Sequence, residues 1–279
     1  MTFVLVLVLS GVCALLTAWG TNAFQSLNWL WVVPVGFAGS FLAMLILVFL
    51  LVWVMSLTVN MKRPQKKDNG FFRAVISMVV DLLIPLLGVR LHVEGMEKLP
   101  KSGRIFLVCN HINDIDPAVL LHCFRKNQLA FISKKENEKK PFIGPFLHRI
   151  LCQSVNREND REALKTILNC IRLIKEDKVS IGVFPEGYTS KDGLLHPFRS
   201  GVFKIAQKTG VPIVVCTLQN TYCVLKNAMH LKPTDVHMHL VGVLYPQDIA
   251  GMTTVDVGNR VHAMMAQDLG PELVWQEEN

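Results

Sequence analysis

The first 61 residues of this 279-residue chain contain no Asp, Glu, Lys or Arg, and every charged side chain lies from Lys62 onward. A water-soluble domain carries charge on roughly a quarter of its residues. The N-terminal stretch therefore has the composition of a membrane segment, and the remaining three-quarters that of an ordinary globular domain. Two apolar runs divide the stretch. The first, 3–19, is just long enough for a spanning helix. A signal peptide is the rival reading, but the run lacks a basic leader, and no clean small-x-small cleavage site precedes Asn22-Ala23-Phe24-Gln25. A retained helix is expected. The second run, 29–59, exceeds what the bilayer core requires and has Trp29, Trp31 and Trp53 near its ends. Pro34 and Gly36 are expected to divide a short interfacial entry from the span proper. Lys62-Arg63-Pro64-Gln65-Lys66-Lys67 then places four positive charges in six residues, while the connector between the runs is uncharged. By the positive-inside rule Lys62 onward lies in the cytoplasm, and two spans return the N-terminus there too. This implies an integral membrane protein, of the cell inner membrane, with contact to anionic membrane lipids.

Three regions follow: an anchor of two helices at 1–60, a basic linker and amphipathic helix at 61–88, and a folded domain at 89–279. The stretch 71–87 is mostly apolar but is broken by Arg73 and Asp81, as in a helix lying on a membrane or covering a domain. Beyond it, apolar runs of strand length at 91–94, 105–109, 129–133, 180–184, 213–218 and 236–243 alternate with helical patterns at 118–124, 143–152, 161–176, 201–208 and 253–269. The expected class is α/β, a mixed sheet flanked by helices. The formal net charge of +7 implies an anionic partner or surface. With a membrane segment present, that partner is a phospholipid or an acidic carrier, and no nucleic-acid-binding signature occurs. Seven cysteines without a CxxC pair argue for reduced thiols instead of a disulfide framework.

The most informative segment is Asn110-His111-Ile112-Asn113-Asp114-Ile115-Asp116-Pro117, between a buried strand and a helix starting near Pro117. His111 at such a turn can serve as a general base, with a carboxylate five residues on to hold its ring. The alternative is a helix cap by Asp114 or Asp116. A second strand runs into Phe184-Pro185-Glu186-Gly187-Tyr188-Thr189-Ser190, which puts Glu186 at another strand end. Strand ends in such folds commonly open on one crevice. The basic segment Ser133-Lys134-Lys135-Glu136 continues to Ser154-Val155-Asn156-Arg157, and the Arg157 guanidinium suits a phosphate. Phe198-Arg199-Ser200-Gly201 opens a helix, and Val211-Pro212-Ile213 enters a buried strand.

In this order the motifs resemble those of the glycerolipid acyltransferases, in particular the 1-acylglycerol-3-phosphate (lysophosphatidate) acyltransferases. Asn110-His111 with Asp116 matches the family's Asn-His-x4-Asp, and Arg157 matches the end of its basic segment. Phe184 to Gly187 matches Phe-Pro-Glu-Gly, and Val211-Pro212-Ile213 matches its last motif. The resemblance implies a fatty acyl transfer from acyl-CoA or acyl-carrier protein to the free hydroxyl of a lysophospholipid acceptor. His111 would be the base and Asp116 its orienting partner, without an acyl-enzyme. It further implies that Arg157, Glu186 and Gly187 bind the acceptor, and that neither metal nor bound cofactor is needed. One departure stands out: Tyr188-Thr189-Ser190 occupies the place of Thr-Arg-Ser, so the arginine assigned to the acceptor phosphate is absent, and another lysolipid or alcohol becomes an alternative acceptor. Arg157, Arg199 or Lys204 could compensate.

Three other classes compete. A serine or cysteine hydrolase lacks a Gly-x-Ser-x-Gly elbow, and Cys109 sits inside an apolar strand run. A metallohydrolase would use His111, Asp114, Asp116 and Glu186 as ligands, yet no HExxH spacing is present; His237 and His239 alternate on a strand facing solvent or a helix. A membrane-anchored binding module would leave His111 without a role. Within the Asn110–Pro117 segment itself, the resemblance leaves Asp114 as the helix cap.

Overall fold

The computed structural model describes residues 2–156 and 159–276. Helices α1 (Thr2–Gly20) and α2 (Trp29–Leu57) are both long and apolar enough to cross a membrane. At 1.5 Å per residue, α1 extends about 28 Å, the thickness of a bilayer core. The contacts Ala14–Gly36 and Ser10–Ser40 run in opposite directions along the two helices, so they pack antiparallel. Their seam is made of small residues: Ser10, Ala14 and Ala18 are buried, and the Ser40 hydroxyl donates to the Ser10 carbonyl at 3.1 Å. Small side chains let backbones approach where no hydrophobic effect between helices is available. Pro34 does not divide α2, contrary to expectation. It is the sixth residue of the helix, so its missing N–H costs one hydrogen bond close to an end whose first donors have no intrahelical partner in any case. Gly36 likewise serves the seam, not a break: a Cβ there would meet the Ala14 Cα at 3.3 Å.

Helix α3 (Gly70–Leu86) lies over the folded part of the chain. Its Asn69 cap accepts from the Phe72 amide at 3.1 Å. Val80 and Ile84 pack into the core, and the two charges expected to break the run are both used. Arg73 is held in a fork by Asp68 and donates to the Leu129 carbonyl at 2.9 Å. Asp81 meets His122 at 2.9 Å and Arg125 at 2.7 Å.

The remainder is a seven-stranded sheet flanked by helices. In chain order it comprises β1 (Val89–Glu94), β2 (Phe106–Cys109), α4 (Asp116–Cys123), β3 (Leu129–Lys134), α5 (Ile143–Arg149), β4 (Gln153–Val155), α6 (Asp160–Lys175), β5 (Ser180–Val183), α7 (Lys204–Thr209), β6 (Ile213–Gln219), α8 (Val224–Met229), β7 (Thr234–Leu244) and α9 (Thr254–Leu269). The strand order is β1-β7-β6-β2-β5-β3-β4, with only the β6–β7 pair antiparallel. Central β2 is buried on both faces. Phe106 and Val108 enter a core with Phe203 and Val261, while Leu107 and Cys109 enter another with Val119 and Leu120. Such two-sided burial explains why the run is uninterrupted by polar residues.

The sheet also fixes where the chemistry can sit. Val108 pairs with Val183 and Cys109 with Cys216, all in parallel ladders. The segments that follow β2, β5 and β6 therefore leave the same edge side by side. Two short elements, β4 and α8, were not expected from the sequence. The helix expected over 201–208 is instead a 3-10 turn, Ser200–Phe203, leading into α7, and that expected over 143–152 stops at Arg149.

The helix seam yields a direct check. Gly36→Leu should force α1 and α2 apart and cost about 1–3 kcal/mol, an overpacking penalty. Gly39→Leu, where a Cβ meets nothing within 4 Å, should be neutral. Thermal unfolding in detergent reads both, and equal effects would contradict the packing described.

Candidate active site

Six residues after β2 leave the sheet before α4 begins, and hydrogen bonds pin them at both ends. Asn110, buried, donates from Nδ2 to the Leu218 carbonyl at 2.9 Å and accepts from the Leu218 amide at 2.7 Å. The amide side chain thus continues the β2–β6 pairing beyond the strand. Next, the His111 amide donates to Glu186 Oε1 at 2.8 Å, and its carbonyl accepts from the Ser190 amide at 2.7 Å. The backbone of the histidine is consequently held by the loop after β5.

The His111 ring is held as firmly as its backbone. It stacks on Phe184, centroids 4.2 Å apart, and Phe184 stacks in turn on Phe131 at 5.6 Å. Gly182 makes room for this column, since a Cβ there would strike the Phe131 ring at 2.5 Å. Nδ1 lies 2.9 Å from Asp116 Oδ2, and Nε2 lies 3.0 Å from the Thr189 hydroxyl. Asp116 is 0 % exposed. Its Oδ2 accepts from the Ile112 and Asn113 amides, both at 2.8 Å, and its Oδ1 from the Thr221 hydroxyl at 2.6 Å. A carboxylate surrounded by donors can only accept, so the ring proton sits on Nδ1 and the Nε2 lone pair is turned outward. The His111 side chain is 13 % exposed and borders a cavity of about 460 Å³ walled by Phe131, Ile143, Phe146 and Leu147. Phe146 also belongs to the apolar cluster that joins Met55 at the end of α2 to Phe72 on α3.

Glu186 is 1 % exposed and both of its oxygens are engaged inside the protein. Besides the His111 amide, it accepts from the Ser190 hydroxyl at 2.6 Å and the His196 amide at 3.1 Å. Burial pushes its carboxyl above the usual range, and these three hydrogen bonds oppose the shift. It therefore braces the backbone of His111 and is absent from the cavity lining. Gly187 turns the chain at φ +83°, where a side chain would be strained.

The sequence expectations divide accordingly. His111 and Asp116 are brought together, and Glu186 and Gly187 lie beside them, with Glu186 turned inward and not toward a ligand. Arg157 falls outside the described residues. Asp114 does not cap α4: the cap position is Ile115, without a side-chain bond, and Asp114 lines the cavity. The tight turn spends Asn113 Oδ1 on the Ile115 amide at 3.1 Å and Asp116 on the two amides before it. As ligands for a metal, Asp116 and Glu186 are poorly disposed, because their oxygens already face N–H and O–H donors. No group of three His, Cys, Asp or Glu side chains among the described residues is arranged to hold an ion. Cys109 is fully buried, and burial raises its thiol well above the ordinary value, as expected of a packing residue. All seven cysteines are free. His239 faces α9, hydrogen-bonded to Asp268, and His237 stacks on His92.

Thr189, Thr221 and the Asn110 clamp escaped the sequence reading. The first has a legible signal, since Thr189 follows Pro185-Glu186-Gly187 by two residues and must leave the same sheet edge. Thr221 lies 105 positions from its carboxylate partner, and nothing local marks it.

Known proteins resemble this chain in sequence and in fold. A family model described as Acyltransferase matches residues 90–219. The 1-acyl-sn-glycerol-3-phosphate acyltransferase of Borreliella burgdorferi is 31% identical over 156 residues, 56% of this chain and 62% of that protein. The Haemophilus influenzae protein of the same name is 27% identical over 175 residues, 63% of this chain and 71% of that protein. The chain thus spans less than two-thirds of the length of the Borreliella relative, and 50% of that of a Cocos nucifera relative. The crystal structure of the 1-acyl-sn-glycerophosphate acyltransferase PlsC from Thermotoga maritima superposes with a TM-score of 0.62 at 23% identity, over 85% of this chain and 94% of that one, which establishes the shared fold. The globular part of this chain is similar to the acyltransferase domain of the 1-acyl-sn-glycerol-3-phosphate acyltransferases in sequence and in fold.

Proposed function

We propose that the chain is a membrane-anchored 1-acylglycerol-3-phosphate O-acyltransferase. It would transfer a fatty acyl group from acyl-CoA or acyl-carrier protein to the free hydroxyl of a lysophospholipid, 1-acylglycerol-3-phosphate, to give phosphatidate. The observation that carries this reading is the His111–Asp116 pair, its Nε2 lone pair turned to the mouth of an apolar cavity. The acceptor hydroxyl replaces the Thr189 hydroxyl at Nε2. As its oxygen attacks the thioester carbonyl, His111 takes the proton and Asp116 stabilises the imidazolium that forms. Collapse of the tetrahedral intermediate breaks the C–S bond, and the departing thiolate takes the proton back from His111. The attacking hydroxyl belongs to the acceptor, so no acyl-enzyme is required. The cavity of about 460 Å³ is of ligand size and suits the donor's acyl chain. Glu186 acts as a positioning residue through the His111 backbone. In this reading the catalytic domain lies on the cytoplasmic side of the cell inner membrane, which the positive charges of Lys62 to Lys67 support.

Purified protein in detergent, given both donors and a panel of lysolipids, tests the reaction and its acceptor together. His111→Ala should lower kcat about 10²–10⁴-fold with the fold intact. Asp116→Asn should approach the same loss, because the amide supports the wrong tautomer and turns a donor against other donors. Unchanged transfer by His111→Ala would refute the mechanism. Thr189→Val should alter kcat by no more than about tenfold, since this hydroxyl yields its place to the acceptor.

The raised carboxyl of Glu186 predicts a pH signature. Folding favours its protonated form, so the contribution to stability is full below the ordinary value of 4.5 and declines as pH rises through the folded value. The melting temperature of the protein relative to Glu186→Gln should therefore fall with pH across the mildly acidic range. A difference that grows with pH would contradict the burial described.

A further inference from the structure

A second pocket, of about 550 Å³, lies across the Phe184–Gly187 turn from the His111 cavity, and the two share Ile132 and Phe184 as walls. Its lining includes the apolar side chains of Val155, Leu164, Ile167 and Val202. Leu164 is 45 % exposed, so α6 leaves apolar surface uncovered at this place. The same lining carries Arg199, Lys204 and Lys208, against the single acid Asp160. Lys204 and Lys208 are four residues apart on α7 and share a face. None of the three cations has a carboxylate partner among the described residues.

The position of Arg199 is built into the fold. Its amide donates to the Pro185 carbonyl at 2.8 Å, and its side-chain stem lies directly over Gly187. A Cβ at Gly187 would come within 2.9 Å of Arg199 Cδ and 3.0 Å of Nε. Glycine at 187 therefore serves two purposes: it permits the turn, and it gives the arginine stem a path beside the loop that braces His111. A planar guanidinium and two ammonium groups lining one pocket together with apolar side chains are matched to an amphiphile carrying a phosphate.

We infer that this pocket binds a phosphate-bearing amphiphile, with the phosphate at Arg199, Lys204 and Lys208 and the apolar portion along Val155, Leu164 and Ile167. The inference rests on the acyl-transfer reading for the identity of the ligands. Under that reading the phosphate has two possible sources, the acceptor's phosphomonoester and the phosphates of the donor's pantetheine arm. Either would make Arg199 a specificity-determining residue, held against the loop that braces His111 but outside the lining of the His111 cavity.

The test uses the full chain in detergent micelles and measures binding of lysophosphatidate, coenzyme A and an uncharged monoacylglycerol by calorimetry. It is performed in a His111→Ala background, so that binding is read without turnover. Arg199→Gln should weaken at least one phosphate-bearing ligand tenfold or more, and Lys204→Gln should weaken the same ligand less, with monoacylglycerol unaffected by either. Loss confined to lysophosphatidate assigns the site to the acceptor, and loss confined to coenzyme A assigns it to the donor; both support the inference. Should Arg199→Gln fail to fold, Arg199→Lys keeps the charge without the fork and should show a smaller loss of the same ligand. Undiminished binding of both phosphates in well-folded Arg199 and Lys204 variants would overturn it. Absence of acyl transfer by the wild-type chain in a parallel assay, with phosphate binding through Arg199 retained, would refute the transferase reading and leave the anion site standing.

Discussion

The site depends above all on one buried carboxylate. Asp116 has no contact with water, and its cost of burial is offset by four donors drawn from separate parts of the chain. Two are amides of the turn that follows β2, one is the His111 ring and one is the Thr221 hydroxyl beyond β6. A charge in such a place is tolerated only while all of its partners are present. The turn, the tautomer of the histidine and the approach of β6 to β2 are thereby tied together. Asn110 supplies the second tie between β2 and β6, through both hydrogen bonds to Leu218. Glu186 supplies the tie to β5. Parallel pairing of the three strands brings these ends together, and the buried polar side chains convert that proximity into fixed geometry.

The same plan places the cavity. Its walls come from β3, α4 and α5, and Ile76 of α3 completes it. Because α3 is fastened to the sheet by Arg73 and to α4 by Asp81, the helix that follows the apolar hairpin is also a wall of the site. The cluster of Met55, Phe72, Val75 and Phe146 continues that wall to the end of α2. Under the proposed acyl transfer, an apolar path of this kind would spare both the acyl tail and the lysolipid a passage through water.

Much of this was legible in the sequence where the signal is local. The uncharged N-terminal stretch announced the two long helices, and the alternation of strand and helix patterns announced the sheet. His111 and Asp116 are five residues apart, so their pairing could be anticipated from a turn between a strand and a helix. Local signals failed where a residue's partner is distant. Asp114 looked like a cap because it is acidic and precedes a helix, but the turn directs the cap position to Ile115 and gives Asp116 the inward role. Glu186 looked like a ligand-binding group at a strand end, yet three protein donors claim it. The short elements β4 and α8 have too few residues to show a period. Pro34 suggested a break, and its position so close to the start of α2 removed most of its effect.

The central claim is that Nε2 of His111 removes a proton from the acceptor hydroxyl during attack on the thioester. An acceptor analogue bearing an amine in place of that hydroxyl separates proton removal from positioning, because a neutral amine attacks without prior deprotonation. The measurement is the ratio of wild-type to His111→Ala rates for the two acceptors, taken above the pKa of the amine. The account predicts a ratio many-fold smaller for the amine than for the alcohol. An equal loss with both acceptors would show that His111 holds the substrate or the fold and is not the base.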